Sequence, residues 1–305
     1  MTKFDVVGFG ALNVDMLFKV NSIADAEQES FVTEYTEACG GSAANTIVAL
    51  ARLGCKVGFL GKLADDREGK TQLNCFTEEG VDTSGIIKTK QGKSGSVLGF
   101  VDKKGARALY INSGVNDEIN PTEIKLDYAA NARFLHLTSF VGEKSFQAQA
   151  TLLTNLPNDV KISFDPGAVY AAKGYDSLER IIKRTYVFMP NLLELQELTG
   201  ESDYRRAADF MVERGIKVVA IKLGDQGCYV TDGRERLKIE PFKVKAVDTT
   251  GAGDAFCAGF LYGLINKKSL FECGRLGNYV ASKCVMAMGA RAGLPYAKDL
   301  AAFNG

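Results

Sequence analysis

The sequence predicts an α/β protein whose mainly parallel sheet is covered by helices on both faces, with a small β-sheet lid standing off the main body. Three observations point there. Short apolar runs of strand length alternate with helical patterns almost from end to end, three of the helical patterns close on a glycine, and two stretches carry paired strands with no helix between them. At 305 residues the chain suits one body with a small appendage. The expectation is a single domain over residues 1–305, with lid strands inserted at about 14–37 and 96–112.

The candidate buried strands are Val6–Gly8, Val57–Leu60, Phe134–Leu137, Ile162–Asp165, Tyr186–Met189 and Val218–Leu223. Continuous apolar runs of this kind fit strands covered on both faces. Between them, Ala43–Leu53 carries Ile47, Leu50 and Leu53 on one helical face and stops at Gly54; Glu68–Glu79 stops the same way at Gly80. A helix opening after Pro190 ends at Gly200, and later helices are expected over Asp254–Ile265 and Leu270–Met288. The lid pairs are Val14–Val20 with Ser30–Glu37 and Ser96–Val101 with Arg107–Asn112, the second joined by a hairpin turn at Lys103-Lys104-Gly105. Their partial polar alternation suits a half-exposed sheet over a cleft.

Composition narrows the function. Thirty-seven basic residues balance thirty-seven acidic ones, so no global field favours nucleic acid or an anionic membrane, and a small-molecule substrate is expected. The seven cysteines (39, 55, 75, 228, 257, 273 and 284) are odd in number, lack Cys-x-x-Cys spacing and mostly sit in apolar runs. They read as buried free thiols of a reducing cytoplasm, not a disulfide frame or zinc site. No signal peptide or membrane-spanning run is expected. His136 is the single histidine and lies in an apolar run, where a packed strand residue is expected; no Gly-x-Ser-x-Gly elbow accompanies it.

The most informative segment is Val247-Asp-Thr-Thr-Gly-Ala-Gly-Asp-Ala-Phe256. A turn of small residues runs into a helix, so backbone N–H groups at Gly251, Ala252 and Gly253 can approach an anion where the helix dipole is positive. Asp254, in the first turn, would stand beside that anion site as a proton acceptor. A plain helix start has the same composition, and the spacing alone does not choose between them. The segment resembles the C-terminal signature Asp-Thr-x-Gly-Ala-Gly-Asp of the ribokinase-like (PfkB) carbohydrate kinases, and Gly40-Gly41-Ser-Ala-Ala-Asn45 resembles their N-terminal Gly-Gly signature. The motifs stand in the family's order and span essentially the whole chain. The resemblance implies a ribokinase-like core with a β-lid, ATP and Mg²⁺ use, Asp254 as general base, and an anion hole at Gly251–Gly253. Other nucleotide motifs fail. Gly69-Lys70-Thr71 and Gly92-Lys93-Ser94 imitate a P-loop tail, but Ala64 and Ile87 occupy the first-glycine positions. Gly8-Phe9-Gly10 lacks the third glycine of a dinucleotide fingerprint, since Asn13 stands there.

On the nucleotide side, Asn191 as N-cap with Glu194 three residues on forms a capping box, and also resembles the family's Asn-x-x-Glu motif, which orders Mg²⁺ and phosphate through water. Lys222-Leu-Gly224-Asp-Gln-Gly227 resembles the family's nucleotide turn, with Lys222 replacing the usual Thr. Asn278 matches a position near the adenine. On the substrate side, Asn13 and Asp15 leave the first strand two residues apart and share a face. They fit either an Asx turn or a grip on vicinal hydroxyls, and they resemble the Asn-x-Asp of ribokinases; Gly41 and Asn45 match further sugar contacts. Ser42-Ala43 stands where ribokinases usually have Lys-Gly, and Glu143 lies near the place of a sugar-contacting Glu. Asp248 and Thr250 match positions near an activating K⁺, completed by backbone oxygens near Ala287–Gly293, with Gly293 at a frequent Ser position.

The expected function is therefore an ATP-dependent kinase acting on a ribose-like pentose or ketohexose, with Asp254 as base. A nucleoside kinase is the alternative within catalysis, and a non-catalytic sugar- or nucleotide-binding regulator the alternative outside it. A homodimer through the lid is a further expectation.

Overall fold

The computed structural model describes residues 2–103 and 106–303. Strand β1 (Phe4–Phe9) runs into β2 (Asn13–Val20) and β3 (Val32–Gly40), followed by α1 (Ser42–Arg52), β4 (Val57–Ala64), α2 (Arg67–Glu78) and β5 (Ile86–Thr89). Next come β6 (Gly95–Val101), β7 (Arg107–Asn112), α3 (Leu126–Ala130), β8 (Ala132–Leu137), α4 (Glu143–Asn155) and β9 (Lys161–Phe164). Helices α5 (Gly167–Ala171) and α6 (Gly174–Ile182) lead to β10 (Thr185–Phe188), and α7 (Leu192–Thr199) with α8 (Tyr204–Glu213) to β11 (Val218–Lys222). Strands β12 (Cys228–Thr231) and β13 (Arg236–Ile239) precede the long helices α9 (Ala252–Ile265) and α10 (Leu270–Cys284).

The main sheet has nine strands in the order β13-β12-β11-β10-β9-β8-β1-β4-β5. From β5 to β11 all are parallel, and β12 and β13 close the far edge as an antiparallel pair. Period-2 alternation sends neighbouring residues to opposite cores. Val218 and Ala220 of β11 join the core packed by α1, α9 and α10, while Val219 and Ile221 join the core packed by α4, α6, α7 and α8. The strand order reverses at β1, whose neighbours are β4 and β8. In open α/β sheets this is the place where a crevice opens outside the carboxyl ends of the strands.

The lid is one four-stranded sheet, ordered β3-β2-β6-β7. Both predicted pairs are present and are antiparallel, and β2 also pairs with β6 in parallel, a link the sequence reading did not include. Strand β3 lies later than expected and runs to Gly40, so it delivers the Gly40-Gly41 turn to the crevice. Of the predicted hairpin turn, Lys104 and Gly105 lie outside the described residues; Asp102 N–H donates to the Ala106 carbonyl at 3.1 Å beside them.

Two expectations need correction. The last helix stops at Cys284, not Met288, because the Val285 carbonyl turns to accept N–H groups of Val247 (2.7 Å) and Asp248 (3.2 Å). Strands β5, β12 and β13 were not anticipated. The β12–β13 pair turns at Asp232-Gly233, where Asp232 Oδ1 accepts from the N–H groups of Arg234 and Glu235 and Gly233 has φ 88°. Among the described residues, no helix is long and apolar enough to cross a membrane.

Candidate active site

The carboxyl ends of successive strands supply the site. Asn13 follows β1, Thr138 and Ser139 follow β8, Asp165 follows β9, Asn191 follows β10, and Lys222 ends β11. A cavity of about 350 Å³ lies over these ends. Of the predicted residues, Ala252, Gly253, Asp254, Asn191, Glu194, Lys222, Gly224, Gly227 and Asn278 line it. Gly251, Asn13, Asp15, Gly41, Asn45, Asp248 and Thr250 lie outside that lining.

The head of α9 forms one wall. Gly251 is its N-cap with φ 76°, and a Cβ there would fall 2.5 Å from the Ala290 Cβ, so only glycine fits both the backbone and the space. The first N–H groups of a helix have no partner within it, which leaves this end suited to an anion. Asp254 Oδ2 accepts from Asn45 Nδ2 at 2.9 Å, and its carbonyl accepts from Thr46 Oγ1 at 3.2 Å, so α1 holds the first turn of α9 from below. Burial pushes the Asp254 carboxyl up to about 7, the Asn45 bond opposes the rise, the Asp165 charge adds to it, and Lys222 and Arg291 oppose it. A carboxylate with that proton affinity is matched to accept a proton near neutral pH.

Asp165 is a site residue the sequence reading took only as the end of a strand. Its Oδ2 accepts from Lys222 Nζ at 2.5 Å and from Cys257 Sγ at 3.4 Å, while Oδ1 is buried without a hydrogen-bond partner. Burial would favour the neutral form of Lys222, yet the Asp165 charge holds its ammonium protonated, well above the usual lysine range. The ammonium stands against the small-residue turn at the head of α9, since a Cβ on Gly253 would lie 3.4 Å from Nζ. The signal in the sequence was a carboxylate just past an apolar strand, followed by Pro166 and Gly167.

The capping box at α7 is complete. Asn191 Oδ1 accepts from the Glu194 N–H at 2.8 Å, and the Glu194 carboxylate accepts from the Asn191 N–H and Nδ2, each at 2.7 Å. Burial, then the Asp165 charge, raises the proton affinity of Glu194, with Lys222 opposing. Asn278 Nδ2 donates to the carbonyls of Ile239 (3.2 Å) and Glu240 (3.0 Å), which fixes its side chain at the cavity wall.

At the lid root, Asn13 and Asp15 share one face of β2, opposite Gly40 and Ala38 of β3. The Asp15 carboxylate lies where a Cβ on Gly40 would stand 2.3 Å from its oxygen, so glycine at 40 makes room for it. Burial pushes Asp15 up to about 6, partly offset by Arg291. Asn116, in a 3-10 turn after β7 and absent from the sequence reading, donates from Nδ2 to Asn13 Oδ1 at 2.9 Å and to the Leu12 carbonyl at 3.0 Å. This directs the Asn13 NH₂ group away from Asn116 as a donor. Asn45, buried on α1, reaches Asp254 on one side and Arg291 on the other, where Arg291 Nε donates to its Oδ1 at 2.8 Å.

Asp248 ties two loops together. It accepts from the Thr250 N–H and Oγ1 at 3.0 and 2.8 Å through Oδ1, and from the Gly289 N–H at 2.8 Å through Oδ2. Glu143 opens α4 on the surface and pairs with Lys173 at 2.9 Å, apart from the cavity lining. His136 is fully buried against Ser163 Oγ at 2.9 Å, and desolvation drives its imidazole down to about 4, so it packs in the sheet as expected. The seven cysteines are free thiols.

Comparison with known proteins finds carbohydrate kinases over nearly the whole chain. The family model for pfkB family carbohydrate kinases matches residues 3–297. The chain is 45% identical over 255 residues to an uncharacterized sugar kinase of Archaeoglobus fulgidus, covering 83% of this chain and 100% of that protein. It is 31% identical to a ribokinase of Haemophilus influenzae over 304 residues, with 96% of both proteins covered. The crystal structure of a ribokinase from Thermotoga maritima superposes with a TM-score of 0.88 at 26% identity, covering 98% of this chain and 99% of that one.

Proposed function

Because the chain belongs to the pfkB family of carbohydrate kinases, we propose that it transfers the γ-phosphoryl group of ATP to a hydroxyl of a ribose-like pentose or ketohexose, with Asp254 as general base. One observation carries this reading. Asp254, at the head of α9, shares a single cavity with the small-residue turn, the Lys222 ammonium and Glu194. A proton acceptor, an anion site and a fixed positive charge are what phosphoryl transfer to an alcohol requires, because the barrier falls chiefly through positioning and electrostatics.

In this reading Asn13 donates to one sugar hydroxyl, Asp15 accepts from its neighbour, and Gly41 and Asn45 complete the sugar's contacts. Gly251, Ala252 and Gly253 receive the charge that develops on the transferring group, and Lys222, tethered by Asp165, neutralises part of it. Asp254 takes the hydroxyl proton as the new oxygen–phosphorus bond forms. Asn191, Gly224, Gly227 and Asn278 bound the nucleotide side. Glu194 suits a Mg²⁺ held largely through water, since its carboxylate is fixed at the cavity wall beside the nucleotide side of the site. Bound there with ATP, Mg²⁺ would neutralise phosphate charge. The Asp248–Thr250 loop, tied to Gly289, is the proposed seat of an activating K⁺. Free thiols suit a reducing compartment, and the reaction is placed in the cytoplasm.

The test is a coupled ADP-release screen over pentoses, hexoses and nucleosides, run in KCl and again in tetramethylammonium chloride. Sugar-dependent ADP release supports the reading; nucleoside-only turnover would replace the acceptor class. Equal rates in the two salts would remove the K⁺ site.

The lid carries a second part of the proposal. Leu109, Tyr110 and Ile111 on edge strand β7, with Phe31 and Val32 at β3, are exposed at between 52% and 73%. Such apolar edges are usually covered, and pairing with the lid of a second copy would cover them. Sedimentation velocity should show a dimer that Tyr110→Lys with Ile111→Glu converts to monomer; a monomeric parent at assay concentration would sink this part.

A further inference from the structure

Arg291 stands in the segment after α10, where only backbone oxygens near 287–293 matched an expected site, and no motif marks its side chain. Its side chain nevertheless runs back to α1. Nε donates to Asn45 Oδ1 at 2.8 Å and Nη2 to the Gly40 carbonyl at 3.4 Å, while Nη1 is buried without a hydrogen-bond partner. Its main chain is tied to the same helix, since the Arg291 carbonyl accepts from Arg52 Nη1 at 2.6 Å. Arg52 is itself clamped by the Glu79 carboxylate at 2.9 and 2.5 Å. The guanidinium is thus held at both ends of its residue.

We infer that Arg291 is the positioning residue of the base, acting through the Asn45 amide. A guanidinium can only donate, so it forces Asn45 to turn its oxygen toward Arg291 and its NH₂ group toward Asp254. That is the orientation in which Asn45 Nδ2 bonds Asp254 Oδ2 at 2.9 Å. An amide in this orientation favours an ionised Asp254. Freed from Arg291, Asn45 can flip and present its oxygen, which accepts from a protonated carboxyl and favours the form that is useless as a base. The other titratable groups facing Asp254 are Asp165 beyond β9 and Lys222 on β11, whose charges act on it, and the thiols of Cys257 on α9 and Cys284 on α10, which its charge pushes up. Asp165, Cys257 and Cys284 leave the carboxylate no positive charge, so Lys222 and Arg291 are the two cations that oppose its protonation.

The inference rests on Asp254 being the base and adds the residue that sets the pH at which it works. The experiment is the pH dependence of kcat at saturating ATP and sugar for the parent and Arg291→Met. The acid limb should move up by about one pH unit, so that kcat drops roughly tenfold on the acid side and converges with the parent at alkaline pH. Titration of ATP itself is common to both enzymes and cancels. A pH-independent fall in kcat would show a merely structural role and overturn the proposal, as would an unmoved limb. Should Arg291→Met fail to fold, Arg291→Gln removes the charge and can offer Asn45 an acceptor as well as a donor, so it must still raise the limb; a parental limb there overturns the proposal equally. An inactive Asp254→Asn beside an unmoved Arg291→Met limb fails this inference alone, whereas an active Asp254→Asn fails the base assignment beneath it.

Discussion

Asp15→Ala is expected to raise the KM for the sugar by roughly 10- to 100-fold, through loss of a charge-assisted hydrogen bond and an unpaired hydroxyl left behind, with the KM for ATP unchanged. The direction follows from where Asp15 sits. It lies at the lid root beside Asn13, outside the cavity lined by Asp254 and Lys222, so its loss should touch one substrate only. Its carboxyl is pushed by burial to about 6, and protonation removes the charge that strengthens its bond from the sugar hydroxyl. Sugar KM should therefore also rise in the parent as the pH falls below about 6. Linkage gives an independent check. The folded state holds the Asp15 proton between the ordinary carboxyl value of 3.8 and about 6, so this group's contribution to stability falls as pH rises through that window. Asp15→Asn should remove that slope and leave the protein at least as stable as the parent at pH 8. Equal rises in both KM values would reject Asp15 as a sugar ligand.

Much of this site was legible in the chain, for local reasons. The Gly251–Asp254 turn, the Asn191/Glu194 cap and the Asn13/Asp15 pair each depend on short-range geometry: a left-handed glycine, a three-residue capping interval and a two-residue strand repeat. The parallel strands were legible too, because burial on both faces makes them continuous apolar runs. What the chain concealed depends on contacts distant in sequence. Asp165 meets Lys222 across 57 positions, Asn116 meets Asn13 across 103, and Arg291 meets Asn45 across 246. Each is a charged or amide side chain with no local pattern to announce it, brought to its partner only when the strand ends converge. The β12–β13 pair was missed differently. Its Asp232-Gly233 turn is a recognisable hairpin signal, but the strands are only four residues each and sit at the sheet edge. The end of α10 escaped because helix propensity continues past Cys284, and it is the backbone of Val247 and Asp248 that captures the Val285 carbonyl.

The other large effect belongs to Asp254. Its replacement by Asn keeps size and the capacity to bond Asn45, while removing basicity. Burial raises the proton affinity of Asp254 to about 7 from an ordinary 3.8, so its charge costs the folded state stability between those pH values and above. Asp254→Asn should fold normally and melt no lower than the parent at pH 8. The anion turn, the Lys222–Asp165 pair and the Glu194 cap are untouched by the change, so both substrates should bind as before. Loss of a general base typically costs about 10²–10⁴-fold, and the loss should fall on kcat, since the proton moves only as the bond to phosphorus forms. The decisive measurement is kcat for Asp254→Asn at pH 8, with saturating ATP and the best acceptor from the screen. A fall of about 10²–10⁴-fold with both KM values near parental is the predicted result; a normally folded variant that keeps kcat within a few-fold of the parent would contradict the assignment of Asp254 as the base.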